Sequence, residues 1–172
     1  YAVLHDILPR WGITTEFVDG TDLDQWRAAL ATPAKLVFFE SPSNPMLDLV
    51  DIEAVSEMAH AAGARVIIDN VFATPIAQRP LQLGADIVIY SATKHIDGQG
   101  RVLGGAVLAS EAFIKNQMLK FYRQTGPSIS PFNAWVLLKS LETLSLRVDR
   151  QAATALDLAV WLESRTDTAE LR

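Results

Sequence analysis

The sequence contains no cysteine. Disulfides and thiolate metal sites are therefore excluded, and the chain is compatible with a reducing compartment. No stretch approaches the roughly 20 apolar residues that a membrane-spanning helix needs, so no membrane partner is expected. A long basic run is also missing, and the formal net charge is −5. That balance argues against a nucleic-acid groove lined by Lys and Arg, although a local anion site stays open. Histidine is scarce: His5, His60 and His95 have no metal-ligand spacing, and no metal is expected. There is no internal repeat and no low-complexity segment. What remains is ordinary globular composition. Of 172 residues, 49% are apolar and 20% charged, enough for one domain with a sizeable core. The opening Tyr1-Ala2-Val3-Leu4 has neither an initiator Met nor a signal-peptide layout. The last residues, Asp167 to Arg172, stop without a closing element, and both ends read as cuts through a longer chain.

The order of elements alternates between strand and helix. Residues 1–11 read as the end of a helix limited by Pro9, and Ile13 to Val18 as a strand. Thr21-Asp22 has the chemistry of a helix N-cap, with the helix running to about Leu30. Leu36 to Phe39, Val66 to Ile68 and Ile87 to Tyr90 are short apolar runs typical of strands buried on both faces. Asp51 to Ala62 has helical apolar spacing, and Gly63 stands where a C-cap belongs. This predicts an α/β fold with a mainly parallel sheet flanked by helices. Gly104 to Ala109 reads as a further strand, and no crossover helix separates it from Tyr90, which allows an antiparallel pairing. From Glu111 the pattern is helical, with Pro131 in the first turn of a helix through Leu146 and another helix from Asp149 to Glu163.

Ligands of open α/β sheets gather beyond the carboxyl ends of the parallel strands. Glu40 to Pro45, Asp69-Asn70 and Ser91 to Lys94 each follow an apolar strand, so the expected sheet brings them to one rim. A carboxylate there, Asp69, either caps the turn at Asn70-Val71 or partners a buried cation such as a protonated pyridine nitrogen. Ser91 and Thr93, two apart, point the same way in an extended segment. Their hydroxyls either bond local backbone or donate to a phosphate. Lys94 is either a surface lysine at a strand end or an amine made nucleophilic by burial. Asn44 lies between Ser43 and Pro45; either the segment is a plain turn, or a cis Asn44-Pro45 bond aims the amide inward. Gly98, Gly100, Gly104 and Gly105 match neither the dinucleotide fingerprint nor the phosphate loop of nucleotide-binding enzymes. They are expected to let the backbone turn tightly near a ligand.

In this order, Glu40-Ser-Pro-Ser-Asn-Pro45, Asp69-Asn-Val-Phe-Ala-Thr-Pro75, Leu83-Gly-Ala-Asp-Ile-Val88, Ser91-Ala-Thr-Lys94 and Leu103-Gly-Gly105 resemble the Cys/Met-metabolism family of pyridoxal-phosphate (PLP) enzymes. The resemblance runs from Tyr1 to about Glu163. It implies part of the fold type I large domain of PLP-dependent transferases over 1–148, and over 149–172 a helix leading to a smaller domain. It implies that Lys94 anchors PLP through a Schiff base and moves protons, that Asp69 pairs with the pyridine nitrogen, that Ser91 and Thr93 hold the phosphate, and that Asn44 reaches the ring hydroxyl oxygen. His95-Ile-Asp-Gly-Gln-Gly-Arg101, Ile7 to Gly12 and Thr125 to Ser128 resemble the subgroup that replaces the γ-substituent of O-succinylhomoserine with sulfide. Cystathionine γ-synthase and γ-lyase activities are the alternatives, and a non-catalytic fragment that keeps the fold is an alternative of another class. An amino-acid substrate, a cytoplasmic location and a homotetramer built as a dimer of dimers are implied in the same way. The family's phosphate loop, its ring-stacking tyrosine, a Tyr/Arg pair lent by a neighbouring subunit and its carboxylate-binding arginine are not in these 172 residues. The isolated piece is therefore expected to have little or no activity.

Overall fold

The computed structural model of the protein describes residues 1–165. Strands alternate with helices in a mixed α/β fold with a mainly parallel sheet, as the sequence predicts. The chain divides into two compact units. One comprises Tyr1–Ile68 with Pro80–Ile87, and the other Asp69–Arg79 with the chain from Val88 onward.

The first unit opens with short helical turns at Val3–Ile7 and Leu8–Trp11. Ile13 to Val18, expected as a strand, forms none: a strand exists only where a neighbour supplies ladder hydrogen bonds, and this segment has none among the described residues. Ile13 and Phe17 are accordingly exposed. Helix α1 (Leu23–Ala29) starts at Asp22, whose carboxylate accepts from the Asp24 and Gln25 N–H groups. Strand β1 (Leu36–Glu40), helix α2 (Ile52–Ala61) and strand β2 (Arg65–Asp69) form a strand–helix–strand unit. Arg65 N donates to Lys35 O at the starts of β1 and β2, so the two strands run the same way and α2 is their crossover. Asp51 Oδ1 caps α2 by accepting from Ala54 N, and Gly63 follows it with φ of 75°. Val55, Ala59, Val66 and Ile68 are fully buried between helix and strand. One oxygen, Asp86 Oδ2, accepts from Val66 N at 2.8 Å and lies 2.9 Å from His60 Nε2.

The second unit takes up the chain at Asp69 and contains helix α3 (Thr74–Ala77), strand β3 (Ile87–Ser91, from Val88) and strand β4 (Gly105–Ala109). Ala92 N and Thr93 N both donate to Gly104 O. The end of β3 therefore lies beside the start of β4, and these two strands run antiparallel. Helix α4 (Glu111–Phe113) leads through a wider turn at Ile114–Met118 into α5 (Leu119–Thr125). Helix α6 (Pro131–Leu141) has Pro131 in its first turn, as expected, and Ser130 as its N-cap. Its end differs from the expectation. α6 stops at Leu141, and α7 (Leu144–Glu163) begins at Leu144 instead of Asp149. Glu142 N and Thr143 N bond back only three residues, to Lys139 O and Ser140 O, which tightens the last turn. Ser140 Oγ also turns back onto Val136 O at 2.7 Å, a bond that bends helices.

Replacing Ile68 by Ala, a fully buried position of β2, is expected to cost about 2–5 kcal/mol of unfolding free energy in urea titrations. Asp51→Ala, which removes only the cap of α2, is expected to cost about 1 kcal/mol.

Candidate functional site

The residues that follow β2 and β3 form the candidate site, and Asp69, Ser91, Thr93 and Lys94 all belong to the second unit. Within β3, Ile87, Val88 and Tyr90 are buried, so Ser91 is the first polar side chain that the strand delivers. A helical turn, Ala92–Ile96, starts there, and Lys94 interrupts it with φ −82° and ψ −117°, outside the helical region. The Lys94 side chain is exposed and has no ion-pair partner among the described residues.

Asp69 is half-buried, and its Oδ1 accepts from Val71 N at 3.0 Å. It does cap the local turn, and Oδ2 stays open to a second partner. Thr93 Oγ1 accepts from Gly104 N at 3.0 Å, while its own contact to Gly104 O is long at 3.4 Å. Its proton is therefore only weakly engaged. Asn44-Pro45 is cis, as is Ser41-Pro42. Asn44 stands in the first unit, after β1, with its side chain exposed.

Several residues outside the sequence reading hold this region. Asn70 is fully buried; its Nδ2 donates to Thr74 O, Gln78 O and Tyr90 Oη, and its Oδ1 accepts from Gln78 Nε2. Burial raises the Tyr90 pKa despite that bond. Asp97 is fully buried and receives Arg101 N at 2.7 Å, Arg101 Nε at 3.0 Å and Gln99 N at 3.3 Å. Burial alone would raise the pKa of Asp97, but the Arg101 backbone and guanidinium bonds, with Gln99 N–H, outweigh it and hold the carboxyl below its usual range. No local pattern in the sequence marks Asp97, and only the return of Arg101 onto it reveals the pair. Gly98 and Gly100 have positive φ, in keeping with the tight backbone turns expected of them. An added Cβ at Gly104 would lie 2.9 Å from Leu137 Cδ1, and one at Gly98 would collide with the Arg147 guanidinium, so both glycines serve internal packing.

This donor set fits PLP. It offers an exposed amine without an ion-pair partner, a half-buried carboxylate with a spare oxygen for a pyridinium, and hydroxyls on Ser91 and Thr93 for a phosphate. A model of Cys/Met metabolism PLP-dependent enzymes matches residues 1–171. The chain belongs to that family. It is 56% identical over its whole length to an O-succinylhomoserine sulfhydrylase of Mycobacterium tuberculosis, of which it covers 42%. It is 53% identical over 154 residues to another of Pseudomonas aeruginosa, covering 90% of this chain and 38% of that protein. The crystal structure of metB from Corynebacterium glutamicum superposes with a TM-score of 0.94 at 34% identity, over 99% of this chain and 44% of that one. The chain thus spans about two fifths of the length of the curated relatives it matches. Among the described residues no group of His, Cys, Asp and Glu side chains could hold a metal, and no helix is long and apolar enough to cross a membrane.

The buried Asp97 carboxylate, paired with the exposed Arg101, makes stability depend on pH. A carboxyl whose pKa is depressed on folding adds stability that is present above its unfolded value and lost as pH falls through the folded one. Below about pH 4, wild type is expected to lose this contribution, and Asp97→Asn has none to lose. The difference in unfolding free energy between the two should therefore be larger at neutral pH than in acid, as urea titrations at both pH values would record.

Proposed function

We propose that the protein is a PLP-dependent enzyme that replaces the γ-substituent of O-succinylhomoserine, or O-acetylhomoserine, with sulfide to give homocysteine. The observation that carries this reading is the position of Lys94: an exposed amine directly past a buried strand, in one compact unit with Asp69, Ser91 and Thr93. The 56% identity to an O-succinylhomoserine sulfhydrylase supports the choice of substrate.

Each residue has a separate task. Lys94 would hold PLP covalently through its amine. The same amine would remove the proton from the substrate α-carbon and return protons later. Asp69, through the oxygen not used by Val71, keeps the pyridine nitrogen protonated. Ser91 and Thr93 donate their hydroxyl protons to the phosphate. The assignment of Asn44 to the ring hydroxyl oxygen rests on the family resemblance alone. Bound PLP supplies an electron sink for the charge left when the α-proton departs. Across the whole reaction the carboxylate ester leaves the γ-carbon as succinate or acetate, and hydrogen sulfide forms the new C–S bond.

We assign 1–148 to the PLP-binding large domain and 149–172, of which 166–172 lie outside the described residues, to the segment leading toward a smaller domain. We also read the whole protein as a cytoplasmic homotetramer, a dimer of dimers, with no nucleic-acid or metal partner. A second reading, cystathionine γ-synthase with cysteine as sulfur donor, is favoured by 35% identity to a Bacillus subtilis protein named cystathionine gamma-synthase/O-acetylhomoserine (thiol)-lyase.

Incubation of the protein, expressed as its gene encodes it, with PLP followed by borohydride is expected to leave a pyridoxyl group on Lys94 alone in peptide mass spectra. Label distributed over other lysines would remove the proposed site. Steady-state rates with O-succinylhomoserine should be higher with sulfide than with cysteine; the reverse order would favour the second reading.

A further inference from the structure

Arg147 carries an interaction that the proposed chemistry does not use. It lies in the first turn of α7, and its guanidinium reaches back to the segment that follows Lys94. Nη1 donates to His95 O at 2.8 Å, and Nη2 donates to Ile96 O at 3.2 Å and to Ser140 O at 3.0 Å. Nε donates to Thr143 Oγ1 at 3.2 Å. Among the described residues it has no carboxylate partner. Its donors are spent on backbone carbonyls and one hydroxyl.

The His95 and Ile96 carbonyls lie where a short helical turn leaves acceptors without partners. The Lys94 carbonyl accepts from Gly98 N at 2.7 Å, and the next two, of His95 and Ile96, accept from Arg147. Gly98 links the two sets. An added Cβ there would lie 2.6 Å from Arg147 Cζ, so the glycine lets the guanidinium sit flat on the backbone while its N–H closes onto Lys94. On the other side of the turn, Asp97 N donates to Ala92 O, and the Asp97 side chain is fixed by Arg101, whose Nη2 also donates to Ser140 Oγ at 2.6 Å. Ser140, at the end of α6, thus receives one arginine on its hydroxyl and the other on its carbonyl.

We infer that Arg147 is a positioning residue for Lys94, a rigid fork that fixes the backbone from which the lysine amine reaches the cofactor. This rests on the assignment of Lys94 as the PLP anchor. A planar guanidinium is needed because its donors diverge in one plane onto separate carbonyls; an ammonium is a compact point donor. The role is one of orientation, so its loss should slow the covalent step at Lys94 and leave the initial capture of PLP unchanged.

The test is the rate at which PLP becomes attached to Lys94 in the apoprotein of the whole gene product, measured against PLP concentration by stopping with borohydride and quantifying the labelled peptide. In Arg147→Met the saturating attachment rate is expected to fall about tenfold to a hundredfold. The half-saturating PLP concentration should stay close to that of wild type. Arg147→Lys, which keeps the charge but loses the fork, should recover only part of the rate. An unchanged saturating rate in Arg147→Met would overturn the inference. So would rate and half-saturation deteriorating together, or both variants failing to unfold cooperatively, since Arg147 would then support the fold at large. If wild type itself is labelled elsewhere than at Lys94, the PLP-anchor assignment fails first and the inference falls with it.

Discussion

Strands β2 and β3 carry their apolar side chains into the interior, and a strand so buried can hold polar chemistry only at its ends. Val66 and Ile68 precede Asp69; Val88 and Tyr90 precede Ser91. The candidate site residues Asp69 and Ser91 therefore stand at the strand ends, on backbone that the strand has already immobilised. The same constraint creates a problem one residue later. Past the strand, backbone groups lose their ladder partners while still close to the core, and each needs another. Gly104 O takes the N–H groups of Ala92 and Thr93, and Gly98 N takes the carbonyl of Lys94. The lysine thus stands on a short stretch of chain whose polar groups are satisfied one by one.

Two arginines complete that satisfaction in different ways. Arg101 meets a fully buried carboxylate, Asp97, in a charge-assisted pair. The Asp97 side chain is fully buried while that of Arg101 is 43% exposed, so removing Arg101 would leave a buried carboxylate without its countercharge. Arg147 meets only neutral oxygens, so its contribution is geometric direction more than charge balance. Ser140 joins both and thereby couples the end of α6 to the turn that bears Lys94. The break between α6 and α7 lies at that junction.

Much of this was legible in the sequence because it depends on local pattern. Short apolar runs located β1, β2 and β3; Thr21-Asp22 marked a helix start by its capping chemistry, apolar spacing marked the helix from Asp51, and Pro131 marked the start of α6. Asp69, Ser91, Thr93 and Lys94 were identifiable because strand ends are where such residues matter. The failures share a cause. Ile13 to Val18 has a strand's composition but no ladder neighbour among the described residues, and composition says nothing about neighbours. The α6–α7 boundary fell earlier than expected because Arg147, Ser140 and Thr143 satisfy the helix end through side chains. Arg147 and His95 are 52 residues apart, and no local pattern connects them.

Gly98 and Gly100 appear equivalent in the text Asp97-Gly-Gln-Gly-Arg101, and both have positive φ, 73° and 68°. Their surroundings separate them. Around Gly100 a side chain would meet open space, so the backbone angle is the sole restriction, and Asn or Asp, which enter that region at small cost, fit there. At Gly98 the volume itself is occupied by the guanidinium. No residue choice at 98 relieves that while Arg147 stays in place, so the vocabulary allowed at one position is written by a side chain in a distant helix.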